Sequence, residues 1–214
     1  RQVKQYQDEW SFNNSNGLVP YLQQSYYEKG ESWTGKAIRR DSLAQINITL
    51  LNRVKTAAYP IQFKALVNGR FDVYHSIDFS LEKRRFAKLQ FLGFDHLSVK
   101  TDIQENELRA NDVFTLSMQS EIKDQFEQYS LTRYEIVYPQ GFEMGGSNAK
   151  YFYLRPNPSN QSMVSVGGLN TANPPVVYDV TQPLNPRLLE ARLVGNRWQI
   201  AVSNTSQPRT LFVA

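Results

Sequence analysis

Two histidines are the only imidazoles in this 214-residue chain, and it has no cysteine. The missing thiol excludes a cysteine nucleophile, a disulfide framework, a thiolate zinc site and an iron–sulfur centre together. Nucleophilic catalysis would therefore need a hydroxyl, a base beside it and a third group to orient that base. His75 falls in register with Phe71, Val73, Ile77 and Phe79 on the apolar side of an alternating segment. That place suits a buried or edge histidine with a hydrogen-bond partner better than it suits a general base. His96 follows Phe94-Asp95 at a turn that Asp95 can cap. Neither a Gly-x-Ser-x-Gly elbow nor a His-Glu-x-x-His helix occurs, and Asp95 and Asp102 read as solvated turns in preference to a calcium site. The expectation is a segment without catalytic residues, metal or cofactor.

Binding has more candidates. Trp10, Tyr26, Tyr27 and Trp33 can stack on sugar rings if they are exposed, although a chain with 12 Phe, 12 Tyr and 3 Trp places most of its aromatics in cores or interfaces. Arg39-Arg40 and Lys83-Arg84-Arg85 either contact an anionic polymer or, the plainer reading, guard the edge of a sheet. The net charge of +4, from 24 basic against 20 acidic residues, is too small and dispersed to imply nucleic acid, which is not expected as a partner. No apolar run approaches the ~18 residues of a membrane-spanning helix. Gly145-Gly146 and Gly167-Gly168 lack the strand, loop and helix context of a phosphate cradle and read as turns. Sequons occur at Asn13, Asn47, Asn160 and Asn204, of which Asn47 falls inside a strand pattern.

The elements that must carry these side chains are strands. Ala44 to Leu50 alternates apolar and polar residues throughout, as a half-buried strand does. Ile61 to Val67 follows, and the Asn68-Gly69 pair predicts a tight hairpin turn back into the segment from Phe71 to Phe79. Further strands are expected over 84–91, 96–101, 113–120, 132–138, 150–155, 163–166, 176–180, 197–202 and 209–213. Helix is nearly absent by pattern, with about two turns expected at Glu121 to Gln128 and an ambiguous stretch from Leu81 to Leu89. Pro139 to Ala149 reads as a mobile loop. The expected fold class is all-β: an antiparallel, jelly-roll-like sandwich over residues 31–160, a small C-terminal β segment over 161–214, and a lead-in over 1–30 that packs on the sandwich. The absent initiator Met and the abrupt apolar run from Thr210 to Ala214 suggest ends cut from a longer protein.

Four strings, in order, resemble the β-sandwich region that precedes the peptidase domain in PorU-type sortases, the gingipain-type cysteine peptidases of the Bacteroidetes type IX secretion system. Glu31-Ser32-Trp33-Thr34-Gly35 is similar to that family's Glu-Trp-Phe-Gly segment, and Val67-Asn68-Gly69 to its hairpin. Leu131-Thr132-Arg133-Tyr134-Glu135-Ile136 is similar to its Trp-Leu-Asp-Tyr-Ile-Glu-Ile strand. Most specific is Val177-Tyr178-Asp179-Val180-Thr181-Gln182-Pro183-Leu184-Asn185-Pro186, which resembles Val-Trp-Asp-Val-Thr-Asp-Pro-Leu-Asn-Pro with Tyr178 for Trp and Gln182 for Asp. In that run a strand ends, Asp179 and Thr181 can bond to local backbone, and Pro183 and Pro186 stop further pairing.

The resemblance covers about residues 28–214. It implies a non-catalytic module whose family peptidase His and Cys lie downstream, so no catalytic residue carries over. For the parent it implies an exported protein of the periplasm, outer membrane or cell surface of a Gram-negative bacterium. That parent would remove the C-terminal signal domain of secreted cargo and join the cargo to anionic lipopolysaccharide. The implied partners are the downstream peptidase domain of the same chain, secretion-system proteins or cargo. The alternative is a carbohydrate-binding or adhesin-like surface module.

Overall fold

The computed structural model describes residues 9–10, 33–55, 59–203 and 207–214, with residues 9, 10, 33 and 34 described by backbone alone. The lead-in expected over 1–30 lies outside the described residues apart from Glu9–Trp10. The chain divides into two compact units: one runs from residue 3 to Tyr138 without Asn52–Thr56, and the other joins Asn52–Thr56 to Pro139–Ala214.

In the first unit β1 (Glu9–Trp10) pairs with β2 (Trp33–Thr34). Eight strands then follow: β3 (Ile38–Arg39), β4 (Ala44–Thr49), β5 (Ile61–Gly69), β6 (Tyr74–Leu81), β7 (Arg84–Leu92), β8 (His96–Ile103), β9 (Val113–Ser120) and β10 (Gln128–Val137). They lie in two antiparallel sheets, β3-β10-β5-β8 and β4-β9-β6-β7. The couples are nested, β3 with β10, β4 with β9, β5 with β8 and β6 with β7, as if one long hairpin had been rolled up. That is jelly-roll order, and the all-β sandwich expected from alternation is what the chain forms. Between the sheets Phe63, Phe79, Leu81, Phe114, Leu116 and Ile136 are fully buried, each contributing about 1.5–3 kcal/mol of transfer free energy.

Two local expectations for this unit fail. The predicted Asn68-Gly69 hairpin does not form: β5 continues through Gly69, with Asn68 paired to His96 on one side and Ser130 on the other. Residues Ala65 to Gly69 are all buried, so both faces of that stretch are covered and a solvent-exposed turn is excluded there. Where two helical turns are expected at Glu121 to Gln128, Glu121 to Glu127 form a loop that includes an Asx turn, in which the Phe126 N–H donates to Asp124 Oδ1 at 2.8 Å, and Gln128 opens β10. The ambiguous stretch from Leu81 to Leu89 resolves as β6 turning into β7.

The second unit contains β11 (Lys150–Leu154), β12 (Gln161–Val166), β13 (Val177–Asp179), β14 (Arg187–Leu189), β15 (Ala191–Val194), β16 (Arg197–Ser203) and β17 (Arg209–Val213). Its sheets are β11-β17-β13-β14 and β12-β16-β15, and Phe152, Val164, Val166, Val177, Ile200, Val202, Leu211 and Val213 fill a core of their own. The C-terminal part is therefore larger than the expected 161–214. β11, expected with the main sandwich, pairs along its whole length with β17. The loop from Pro139 to Ala149 is tied down rather than loose. Met144 is in the core, Gly141 N–H donates to Asn52 O at 2.8 Å, and Glu143 meets Arg197 at 2.5 Å. Gly167 permits that ion pair, because a Cβ there would overlap Glu143 Oε2 and Arg197 Nη1.

Candidate functional site

His75, on β6, is fully buried, and so is Glu127 from the loop before β10. Nδ1 of His75 lies 2.7 Å from Glu127 Oε2, a close polar contact rather than an aligned hydrogen bond. Nε2 faces two backbone carbonyls, Gly93 O at 2.8 Å and Phe71 O at 3.2 Å. Carbonyls only accept, so Nε2 carries a proton and donates. Ser120 Oγ donates to Glu127 Oε1 at 2.7 Å and accepts from the Ile122 N–H at 3.1 Å. Phe91 stacks on the imidazole at 4.6 Å between centroids. The Tyr129 hydroxyl is pushed well above its ordinary range, first by burial and then by the negative charge of Glu127. A serine, a carboxylate and an imidazole thus stand together, but the carboxylate separates the other two and the ring is closed from solvent. The arrangement fastens the 121–127 loop onto β6.

His96 is placed differently. Its backbone N–H donates to Asp95 Oδ1 at 2.7 Å, while its half-exposed ring stays 3.9 Å from the same carboxylate. Asp95 caps the turn as expected from sequence.

The basic runs lie on sheet edges, since β3 and β7 are terminal strands of their sheets. Arg85 pairs with Asp78 and Lys88 with Glu121. Arg84 Nε donates to Glu107 Oε1 at 2.6 Å and Nη2 to Oε2 at 3.0 Å. Burial pushes Glu107 up, but the hydrogen bonds from Arg84 and the Gln104 N–H, with the charge of Arg84, hold its carboxyl below the usual range. Burial and the neighbouring Glu121 carboxyl raise Asp78 against Arg85 and Lys88. Cations committed to carboxylates in this way guard an edge strand and leave little charge for a polyanion.

Among the residues of the family-like strings, the structure gathers the first three around β5 and β10. The Gly35 N–H donates to Leu131 O at 2.9 Å, and Gly35 O accepts from Arg70 Nη1 at 3.2 Å. Thr132 Oγ1 donates to Asn68 Oδ1, and the Gly69 N–H donates to Asp95 O at 3.0 Å. Tyr134 lies opposite Ala65 and stacks on Phe63 at 6.4 Å. Trp33 lies in β2 with Trp10 opposite it, while the side chains of both, and all of Tyr26 and Tyr27, fall outside the described residues.

The fourth string lies in the second unit. Asp179 Oδ1 accepts from the Thr181 N–H at 2.9 Å and from its hydroxyl at 2.5 Å, and Thr181 Oγ1 accepts the Thr210 N–H at 3.0 Å. Arg209 approaches Asp179 Oδ2 at 3.7 Å. The turn around Pro183 closes with the Asn185 N–H donating to Gln182 O at 2.9 Å, and Pro186 precedes β14. Thr181→Val keeps the shape but leaves the Thr210 N–H without its acceptor. It should cost the second unit about 1–3 kcal/mol and speed hydrogen exchange at Thr210 more than at Ile200, which a residue-resolved exchange experiment will read.

Two features escaped sequence reasoning. Glu127 was hidden in a segment read as helix, although a carboxylate between Phe126 and Tyr129 invited a buried partner. The second is an apolar outer face in the last sheet. Its signal was Tyr151-Phe152-Tyr153-Leu154, a strand with no polar side.

No family model matches the sequence, and no curated protein sequence matches it. Comparison with solved structures finds the atomic structure of Sulfolobus Turreted Icosahedral Virus, covering 87% of this chain and 59% of that one at 12% identity, with a TM-score of 0.26 that carries no argument. It also finds the crystal structure of dimeric latent PorU from Porphyromonas gingivalis, with a TM-score of 0.61 and 9% identity. That match covers 100% of this chain and 20% of the PorU chain, so the chain spans about one fifth of that protein's length. At this identity the likeness is one of fold: the chain is similar in fold to a segment of PorU.

Proposed function

We propose that the chain is the non-catalytic β-sandwich module of a PorU-like sortase or cysteine peptidase, and that it positions the catalytic domain or engages secretion partners or cargo. The observation that carries this reading is the correspondence of the whole chain, both units included, to one fifth of PorU. The family-like strings support it, since the last of them forms the turn that the sequence led one to expect. A module built on two apolar cores, with its one buried histidine locked between a carboxylate and two carbonyls, is suited to holding other parts in place. On this reading the parent works in the periplasm or at the surface of a Gram-negative cell, and the chemistry belongs to a His and Cys pair outside this segment.

The test has two readouts. The gene, sequenced through and past the codon for Ala214, should continue into a domain with that His and Cys pair. The isolated 214-residue chain should cleave peptides no faster than buffer, while the full gene product cleaves them and loses the activity with its cysteine. A reading frame that closes just after Ala214, or peptide hydrolysis by the isolated chain, overturns the proposal.

A further inference from the structure

In the sheet β11-β17-β13-β14, the register sets Tyr151 opposite Phe212, Phe212 opposite Tyr178, and Tyr178 opposite Leu188. Their chain neighbours Phe152, Leu211, Val177 and Leu189 belong to or pack on the core, so this row projects from the other face of the sheet. Tyr153 lies two residues farther along β11 on the same face, opposite Thr210. An antiparallel sheet that faces water carries polar side chains on its outer face. Here Tyr151 is 54% exposed, Tyr153 46% and Leu188 67%, and the Tyr151 and Phe212 rings lean on each other at 5.1 Å. One apolar row crosses all four strands.

Its size helps to decide what covers it. Three such side chains about half exposed, with the partly buried rings of Phe212 and Tyr178, present roughly 400–500 Å². Separate molecules that associate stably bury about 800 Å² on each partner. Domains of one chain hold together over as little as about 600 Å² in total, because the tether supplies an effective concentration in the millimolar range. The row is thus too small for a free partner and large enough for a tethered one. β17 passes through its middle, and Ala214 exchanges both backbone hydrogen bonds with Val176 at 2.7 and 3.0 Å. Polypeptide that continues past Ala214 leaves the fold within reach of the row.

We propose that the row Tyr151, Phe212, Tyr178 and Leu188, extended by Tyr153, is the docking face for the domain that follows Ala214 in the longer parent. This inference rests on the function proposed above. The partner face is apolar and flat, with acceptors for the tyrosine hydroxyls at its rim.

Hydroxyl-radical footprinting of the 214-residue chain and of the full gene product tests it. Tyr151, Tyr153 and Phe212 should oxidise at least five-fold more slowly in the full product, while Tyr74, exposed on β6, reacts alike in both. In the full product, Tyr151→Ser with Phe212→Ser should return Tyr153 and Tyr178 to the rates of the short chain. Equal rates in the two proteins, with the peptidase domain present, overturn the docking face and leave the proposed function standing. Protection in the short chain that grows with its concentration assigns the face to a second copy and also overturns the inference. A gene that ends at Ala214 removes both readings.

Discussion

Glu127→Ala should destabilise the first unit by about 3–5 kcal/mol, whereas Glu127→Gln should cost only about 1 kcal/mol. The difference follows from what faces the carboxylate. Alanine leaves the Ser120 hydroxyl and His75 Nδ1 without their partner in a fully buried place, and adds a cavity. Glutamine can replace every contact. Its amide oxygen accepts from Ser120 as Oε1 does, and its NH₂ donates to Nδ1 of a neutral imidazole whose Nε2 proton still goes to Gly93 O. The exchange therefore removes charge without leaving a buried polar atom unpaired. Because the chain has two units with separate cores, one global unfolding curve would mix them. Amide hydrogen exchange in β6, β9 and β10, read residue by residue, isolates the first unit. If Ala and Gln lower protection there equally, the idea of a buried network that needs a partner for each atom is wrong.

The same cluster shows which parts of the fold were legible in the sequence. Where one face of a strand is buried and the other wet, alternation located it well, and β9 and β17 run over the expected residues. Where both faces are covered the alternation disappears, as from Ala65 to Gly69, and a local turn preference at Asn-Gly took its place in the reading. Nested pairing was out of reach, because Ile38 meets Tyr129 across some ninety residues and no local pattern encodes that partner. β14 and β15 went unread for the opposite reason. Their residues are mostly exposed, and they are strands because β13 and β16 lie beside them. The guarded edge was legible because consecutive basic residues in a strand have few other uses, and β7 is an edge. For the binding aromatics, sequence pointed to Trp10, Tyr26, Tyr27 and Trp33. The exposed aromatics among the described residues are Tyr59, Tyr74, Phe126, Tyr151 and Tyr153, the last two on β11, whose run from Tyr151 to Leu154 has no polar side.

Gly69→Ala should cost at least about 3 kcal/mol and should abolish hydrogen-exchange protection in β5 and β8, because the glycine is required by packing and not by a turn. A Cβ at this position would overlap the Gly93 carbonyl oxygen and lie 2.5 Å from His75 Nε2. Neither obstacle yields easily. Gly93 is held at φ +69° with its N–H on Val73 O at 2.8 Å, and its oxygen is the acceptor for the His75 proton. The imidazole in turn is pinned by Glu127 and stacked on Phe91. Moving Gly69 itself would break its own N–H bond to Asp95 O at 3.0 Å. Gly145→Ala is the contrasting case. Nothing lies within 4 Å of its added methyl, so only its φ of +64° resists, at a cost of about 1–2 kcal/mol. A second substitution separates the two obstacles at Gly69. His75→Ala removes the imidazole but leaves the Gly93 oxygen, so Gly69→Ala with His75→Ala should be no better folded than Gly69→Ala alone. Rescue by His75→Ala would make the ring the obstacle and the backbone approach dispensable. Protection of β5 within about 1 kcal/mol of the parent in Gly69→Ala would show that the strand can shift, and would undo the claim that Gly69, His75 and Gly93 are fitted to one another.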